Sequence, residues 1–277
     1  MKQIHNSILI ADDNEMNRDI LCRRLEKQGY MVAAADDGQQ ALELMAVENF
    51  DLLLLDIMMP IMDGYAVLEN MRSDDKLKSI PVIVLTAESE ASNIIRCIEL
   101  GASDYLVKPF DMVALRNRIV RCLLNRRFRE EVGGDLDWDG QTTPDVLVVE
   151  DDEMSRELLH KRVSRAGYHV ESVEDGQAAI NFLTKKTVDL VLLDIMMPGL
   201  SGFEVLEHIK QDDALKNISV IMISALDDRE NIEKCLRLGA EDYITKPFNA
   251  LILKSRILSC LQSKRVRDQE MAQQGCR

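Results

Sequence analysis

No apolar run in the sequence reaches the roughly 18–20 residues that cross a bilayer as a helix. The opening Met1-Lys2-Gln3-Ile4-His5 also lacks a signal-peptide core, so the expected location is cytoplasmic. None of the six cysteines belongs to a CxxC pair, which argues against a zinc site or a redox motif. Cys22, Cys97, Cys122, Cys235 and Cys260 fall in helix-like segments and Cys276 in the tail; they are expected to behave as small buried hydrophobes. Positive charge is short as well. With 34 Lys and Arg against 48 Asp and Glu, and no basic stripe, neither nucleic acid nor an anionic membrane is an expected partner. No glycine-rich loop follows the first apolar run of either half, so a dinucleotide cradle is not indicated.

What the chain does have is a second copy of itself. Displaced by 138 residues and without a gap, Leu54-Leu-Asp-Ile-Met-Met-Pro60 reappears as Leu192-Leu-Asp-Ile-Met-Met-Pro198. Likewise Gly101-Ala-Ser-Asp-Tyr-Leu-Val-Lys-Pro-Phe110 returns as Gly239-Ala-Glu-Asp-Tyr-Ile-Thr-Lys-Pro-Phe248. The period is that of a whole domain, far too long for a solenoid.

Within the first copy, short apolar runs at 8–11, 31–35, 52–55, 82–85 and 106–107 alternate with helix-length amphipathic stretches. The first helix, over 15–28, is expected to end at Gly29. Runs that are apolar throughout imply strands buried on both faces, hence a parallel sheet covered by helices. Five such units per copy predict an α/β chain of two doubly wound (βα)5 domains with central five-stranded parallel sheets. The expected boundaries are a first domain over 1–128, a linker over 129–144, a second domain over 145–265 and a helical tail over 266–277. Gly133, Gly134 and Gly140 break periodicity in the linker and Pro144 precedes the next strand.

In such sheets ligands bind at the carboxyl ends of the strands. There the first copy places Asp12 and Asp13, then Asp56, Thr86, and Lys108 with Pro109. Clustered carboxylates repel: two charges about 4 Å apart, at an effective dielectric of about 20, oppose each other by about 4 kcal/mol. A divalent cation relieves that repulsion, and hard oxygen ligands favour Mg2+, with Mn2+ as the substitute. Such a centre would let a carboxylate accept a phosphoryl group, with Lys108 and the Thr86 hydroxyl holding the transferred oxygens. A lone strand-terminal Asp is more often a helix cap, a lone Thr likewise, and a lone Lys a solvated charge. Their joint recurrence as Glu150, Asp151, Asp194, Ser224, Lys246 and Pro247 favours chemistry over capping.

The chain resembles a tandem pair of response-regulator receiver domains, the CheY-like domains of two-component systems, across nearly all of 5–128 and 144–266. The motifs that carry the likeness are Asp12-Asp13, Asp56-Ile57-Met58-Met59-Pro60 with Gly64, Thr86-Ala87 and Lys108-Pro109-Phe110. The resemblance implies flavodoxin-like domains that accept a phosphoryl group on Asp56 and Asp194 from a histidine kinase or phosphotransfer protein. It also implies Mg2+ held by Asp12, Asp13, Asp56 and the Met58 carbonyl, and by Glu150, Asp151, Asp194 and the Met196 carbonyl. Thr86 with Tyr105, and Ser224 with Tyr243, would be switch pairs, and the Lys108–Pro109 peptide would be cis. Glu150 departs from the usual aspartate but keeps the charge. Glu88 in the first copy stands where the second has Leu226, so phosphorylation or hydrolysis rates should differ.

A phosphoryl group would add roughly two negative charges and draw Thr86 or Ser224 toward it. The surfaces expected to report this are 90–100 and 103–124, with 228–238 and 241–262. Apolar residues there, Ile94, Ile98, Leu115 and Ile119, are expected mainly in the core. Residues 256–273 continue in helical composition toward an output domain or a homodimeric coiled coil. Two alternatives stay open: one copy serves only as a dimerisation or adaptor module, or the chain is the regulatory half of a nucleotide cyclase or phosphatase. No catalytic site of such an enzyme is written in the sequence, so the chain itself is not expected to be an enzyme.

Overall fold

The computed structural model describes residues 6–87, 91–132, 143–224, 229–246 and 248–275. Glu88, Leu226, Pro247, Gly133, Gly134, Gly140 and Cys276 lie outside the described residues. The chain divides into two compact units, each around one parallel sheet.

In the first unit the elements are β1 Ser7–Ala11, α1 Glu15–Glu26, β2 Met31–Ala35, α2 Gly38–Val47 and β3 Leu52–Asp56. They continue as α3 Gly64–Ser73, a 3-10 turn at Leu77–Ser79, β4 Val82–Thr86, α4 Ala91–Glu99 and β5 Asp104–Val107; α5, Met112–Val132, follows, and its residues 118–127 belong to this unit. The strand order is β2-β1-β3-β4-β5, all parallel. Leu52, Leu53, Leu54 and Leu55 have no exposure at all, which is why β3 reads as an unbroken apolar run. α1 closes at Gly29 in the left-handed region (φ 91), as a C-terminal glycine should.

The second unit repeats the plan. Its elements are β6 Asp145–Val149, α6 Glu153–Arg165, β7 His169–Val173, α7 Gly176–Leu183, β8 Leu190–Asp194 and α8 Gly202–Gln211. β9 Ser219–Ser224, α9 Arg229–Arg237, β10 Asp242–Thr245 and α10 Ala250–Gly275 complete it, in the order β7-β6-β8-β9-β10. Alternate strand residues feed opposite faces. Leu147, Val149, Val191 and Leu193 pack with Leu183 of α7, Val205 of α8 and Cys235 of α9. Val146, Val148, Leu190 and Leu192 pack with Leu159 of α6 and Ile257 of α10. Helices on both faces make the fold doubly wound, as the sequence pattern implies.

Residues 129–132 are helical, because α5 meets no glycine or proline until Gly133. α10 runs unbroken from Ala250 to Gly275, in line with the helical composition of 256–273. Ile94, Leu115 and Ile119 are buried and Ile98 half-buried, so they do belong to the core. Among the described residues no helix is long and apolar enough to cross a membrane.

Candidate phosphoryl-acceptor sites

The strand register brings the acidic residues together. Ala11 pairs with Leu55, so the next residues, Asp12 and Asp56, leave the sheet side by side where the strand order reverses. In the second unit Val149 pairs with Leu193, which does the same for Glu150 and Asp194. Asp13 and Asp151 follow on the solvent side. Oxygens of Asp12, Asp13 and Asp56 lie within 4.8 Å of one another, as do those of Glu150, Asp151 and Asp194.

These strand-end acids are not helix caps. Asn14, Asp37 and Asp63 cap α1, α2 and α3, while Asp152, Asp175 and Ser201 cap α6, α7 and α8. Asp12 and Asp56 turn instead to Lys108 at the end of β5. Its Nζ donates to Asp12 Oδ2 at 2.6 Å and to Asp56 Oδ2. The other oxygen of Asp56 accepts the Met58 N–H at 3.2 Å. In the second unit Lys246 Nζ donates to both Glu150 oxygens, at 2.9 and 2.7 Å, and to Asp194 Oδ2, while Met196 N–H reaches Asp194 Oδ1 at 2.9 Å. The longer arm of Glu150 therefore changes how the lysine is held.

Thr86 and Ser224 end β4 and β9, buried, and each carbonyl accepts the N–H of its lysine at 2.6 Å. Tyr105 and Tyr243 are half-buried against the cores beneath. The Lys108–Pro109 peptide is cis. Asp12, Asp13, Asp56, Thr86 and Lys108 thus meet at one sheet edge, and Glu150, Asp151, Asp194, Ser224 and Lys246 meet at the equivalent edge of the second sheet.

Burial shapes the electrostatics. Asp56 is 7% exposed, and loss of hydration raises its carboxyl pKa above the ordinary value despite the opposing Lys108 ammonium. Glu150, 2% exposed, is pushed up to about 7, first by burial and then by the Asp194 charge. Burial works against the Lys108 ammonium, but the Asp12 and Asp56 carboxylates outweigh it and lift its pKa. Lys246 rises in the same way between Asp194 and Glu150. The donor set fits a small hard cation: three carboxylates, the middle one open to water.

Sequence reasoning passed over one pair of supports. Arg18 Nη1 donates to the Asp12 carbonyl at 2.6 Å, and Arg156 Nη1 to the carbonyls of Glu150 (2.8 Å) and Asp151 (3.0 Å). Each arginine fastens the acidic turn to the following helix. The signal was there, since Arg18 and Arg156 are equivalent in the repeat.

The response regulator receiver domain profile matches residues 8–120 and again 146–258. The chain therefore belongs to the response regulators of two-component signalling, as a tandem of two receiver domains. It is similar to the response regulator PleD of Caulobacter vibrioides, 29% identical over 275 residues, which is 94% of this chain and 60% of that protein. The chain thus spans less than two thirds of PleD's length. It is 34% identical over 207 residues to the transcriptional regulator ycf27 of Guillardia theta, covering 70% of this chain and 80% of that one. A solved two-component system response regulator/GGDEF domain protein is similar over 94% of this chain and 99% of its own, at 22% identity and a TM-score of 0.44.

Proposed function

We propose that both receivers accept a phosphoryl group, the first on Asp56 and the second on Asp194, from a histidine kinase or phosphotransfer protein in the cytoplasm. The observation that carries this reading is the duplicated arrangement of a buried acceptor with one oxygen on a loop N–H and the other on a lysine. The acceptor carboxylate attacks the phosphorus of a phosphohistidine, the P–N bond breaks, and the imidazole leaves with the electron pair and takes up a proton. Lys108 and Lys246 follow the transferred oxygens, and the Thr86 and Ser224 hydroxyls close on them. Tyr105 and Tyr243 then fill the vacated space, a two-state repacking that alters domain packing or partner binding. Asp12, Asp13, Asp56 and the Met58 carbonyl would hold Mg2+ in the first receiver, and Glu150, Asp151, Asp194 and the Met196 carbonyl in the second. Bound there, the cation would offset the negative charge of acceptor and donor.

Phosphoramidate or acetyl phosphate with Mg2+ should add up to two phosphoryl increments to the intact mass. Asp56→Asn and Asp194→Asn should each leave one, and the double variant none. An increment surviving in the double variant would falsify the acceptor assignment.

A second reading, that the chain regulates an attached enzyme such as a nucleotide cyclase or phosphatase, draws on its spanning 60% of PleD while aligning along 94% of itself. A reading frame continuing into a catalytic domain would support it. An adaptor role for one copy is less favoured, because both copies keep acceptor, acids, hydroxyl and lysine.

A further inference from the structure

The loop between β3 and α3 contains a conformation that its sequence does not favour. Ile61 has φ 64, and among the described residues it is the one non-glycine in the left-handed region. The Met62 N–H donates to the Pro60 carbonyl at 2.6 Å, closing a three-residue turn around Ile61. A turn of that size with positive φ is rare and strained, and a β-branched residue is the least suited to it. The strain is not relieved by packing within the chain, since Ile61 is 86% exposed. Its neighbours fix the loop instead: Met62 is half-buried on the core, its carbonyl accepts the Gly38 N–H at 3.2 Å, and Gly64 N–H bonds the Ile57 carbonyl at 2.9 Å.

The second receiver supplies an internal control. The equivalent position is Gly199, also in the left-handed region (φ 76) but without the penalty. The loop backbone thus favours glycine, and the first receiver carries there a solvent-facing, apolar, strained side chain. It stands three residues beyond Met58, which is 60% exposed and whose N–H bonds the acceptor Asp56. Exposed Met16 and Ile20 lie one turn apart on α1, just past Asp13, and the second receiver matches all three of these with Met154, Leu158 and Met196. Both copies therefore expose apolar residues just past their acidic strand ends, but only the first adds Ile61 to them.

We propose that Ile61 is a specificity-determining residue through which the first receiver, and not the second, selects a phosphohistidine protein that presents an apolar surface beside its histidine. The proposal rests on Asp56 being a phosphoryl acceptor. A small donor needs only Asp56, whereas a protein that delivers its phosphoryl group there is large enough to meet the exposed residues of the loop that follows β3 as well. The transfer itself is unchanged: an Asp56 oxygen bonds to phosphorus, the P–N bond breaks, and the imidazole nitrogen keeps the pair and is reprotonated.

The test uses the full chain carrying Asp194→Asn, with isoleucine, glycine or valine at position 61. Phosphoramidate is the small donor, and a panel of purified phosphorylated histidine phosphotransfer domains and sensor-kinase cores supplies the protein donors. Ile61→Gly should raise KM for the best protein donor about tenfold with kcat within about twofold, while the phosphoramidate rate stays within about twofold. Ile61→Val should restore most of the loss, and Ile61→Gly should melt no lower than its parent. An unchanged KM for the protein donor, an equal loss with phosphoramidate, or a panel in which no member phosphorylates Asp56 overturns the proposal. A chain that phosphoramidate also fails to modify removes the acceptor reading itself, which is a different result.

Discussion

At the scale of single residues, the two sites are one lysine among several carboxylates, and that balance depends on pH. Glu150 holds its proton up to about 7 in the folded protein against 4.5 ordinarily. Between those values the folded state binds more protons than the unfolded one, so this group makes the second receiver less stable as pH rises through the window. Glu150→Gln should flatten that slope, read as hydrogen-exchange protection of β8 at pH 5 and pH 8; an unchanged slope would assign the pH dependence elsewhere. Lys108→Ala tests the opposite charge. It leaves Asp12, with no exposure, and Asp56, 7% exposed, without their cation, and should destabilise the first receiver by about 3 kcal/mol. The loss should shrink as pH falls, because burial already raises the Asp56 pKa and a proton there removes the unpaired charge. Residue types and strand-end positions were legible in the sequence because apolar runs and the acids that end them are local features. The shared lysine contacts, the Glu150 pKa and the Ile61 backbone were not, because each depends on groups brought together across the sheet or through a loop.

At the scale of elements, each strand that ends in a proposed acceptor is tied to the helix that follows it. Gly64 opens α3 so close to β3 that a side chain there would press on the Asp56 carbonyl and stand 2.8 Å from the Ile57 Cα. Gly202 of α8 meets the Asp194 carbonyl in the same way, with the Ile195 Cα at 2.9 Å. Both obstacles are backbone, which cannot swing aside. Gly64→Ala should therefore destabilise the first receiver by about 1–3 kcal/mol and slow phosphoramidate labelling of Asp56, leaving Asp194 labelling intact. Site-resolved mass mapping checks it, and normal Asp56 labelling would show that the strand end tolerates displacement. On the far side, β5 is anchored by buried Asp104, which pairs with Arg118 (3.6 Å) and Arg121 of α5, so the strand that carries Lys108 is fixed from below. In the second receiver Asp242 pairs with Arg256 at 3.2 Å. Helix formers carry α5 through Val132, up to the glycine pair that opens the glycine-rich stretch of the sequence.

At the scale of the whole molecule, a gapless duplication sets two equivalent frames around unequal chemistry. Asp56 and Asp194 end equivalent strands, β3 and β8, in the same register. The lysines are held differently: Lys108 meets one oxygen of Asp12, whereas Lys246 meets both oxygens of Glu150. To follow a phosphoryl group, Lys246 has one more charge-assisted contact to surrender, and a net difference of about 1 kcal/mol corresponds to several-fold in rate. Dephosphorylation of the wild-type chain after donor removal should therefore follow two exponentials. Asp56→Asn and Asp194→Asn should each retain one phase, with rates differing by about threefold or more. Equal rates in the two single variants would mean that the lysine contacts do not govern lifetime. Glu150→Asp carries the same logic further, because shortening that arm by one methylene returns the acid found in the first receiver. If the grip on Lys246 sets the difference, this substitution moves the Asp194 lifetime toward that of Asp56 and leaves the Asp56 phase where it was.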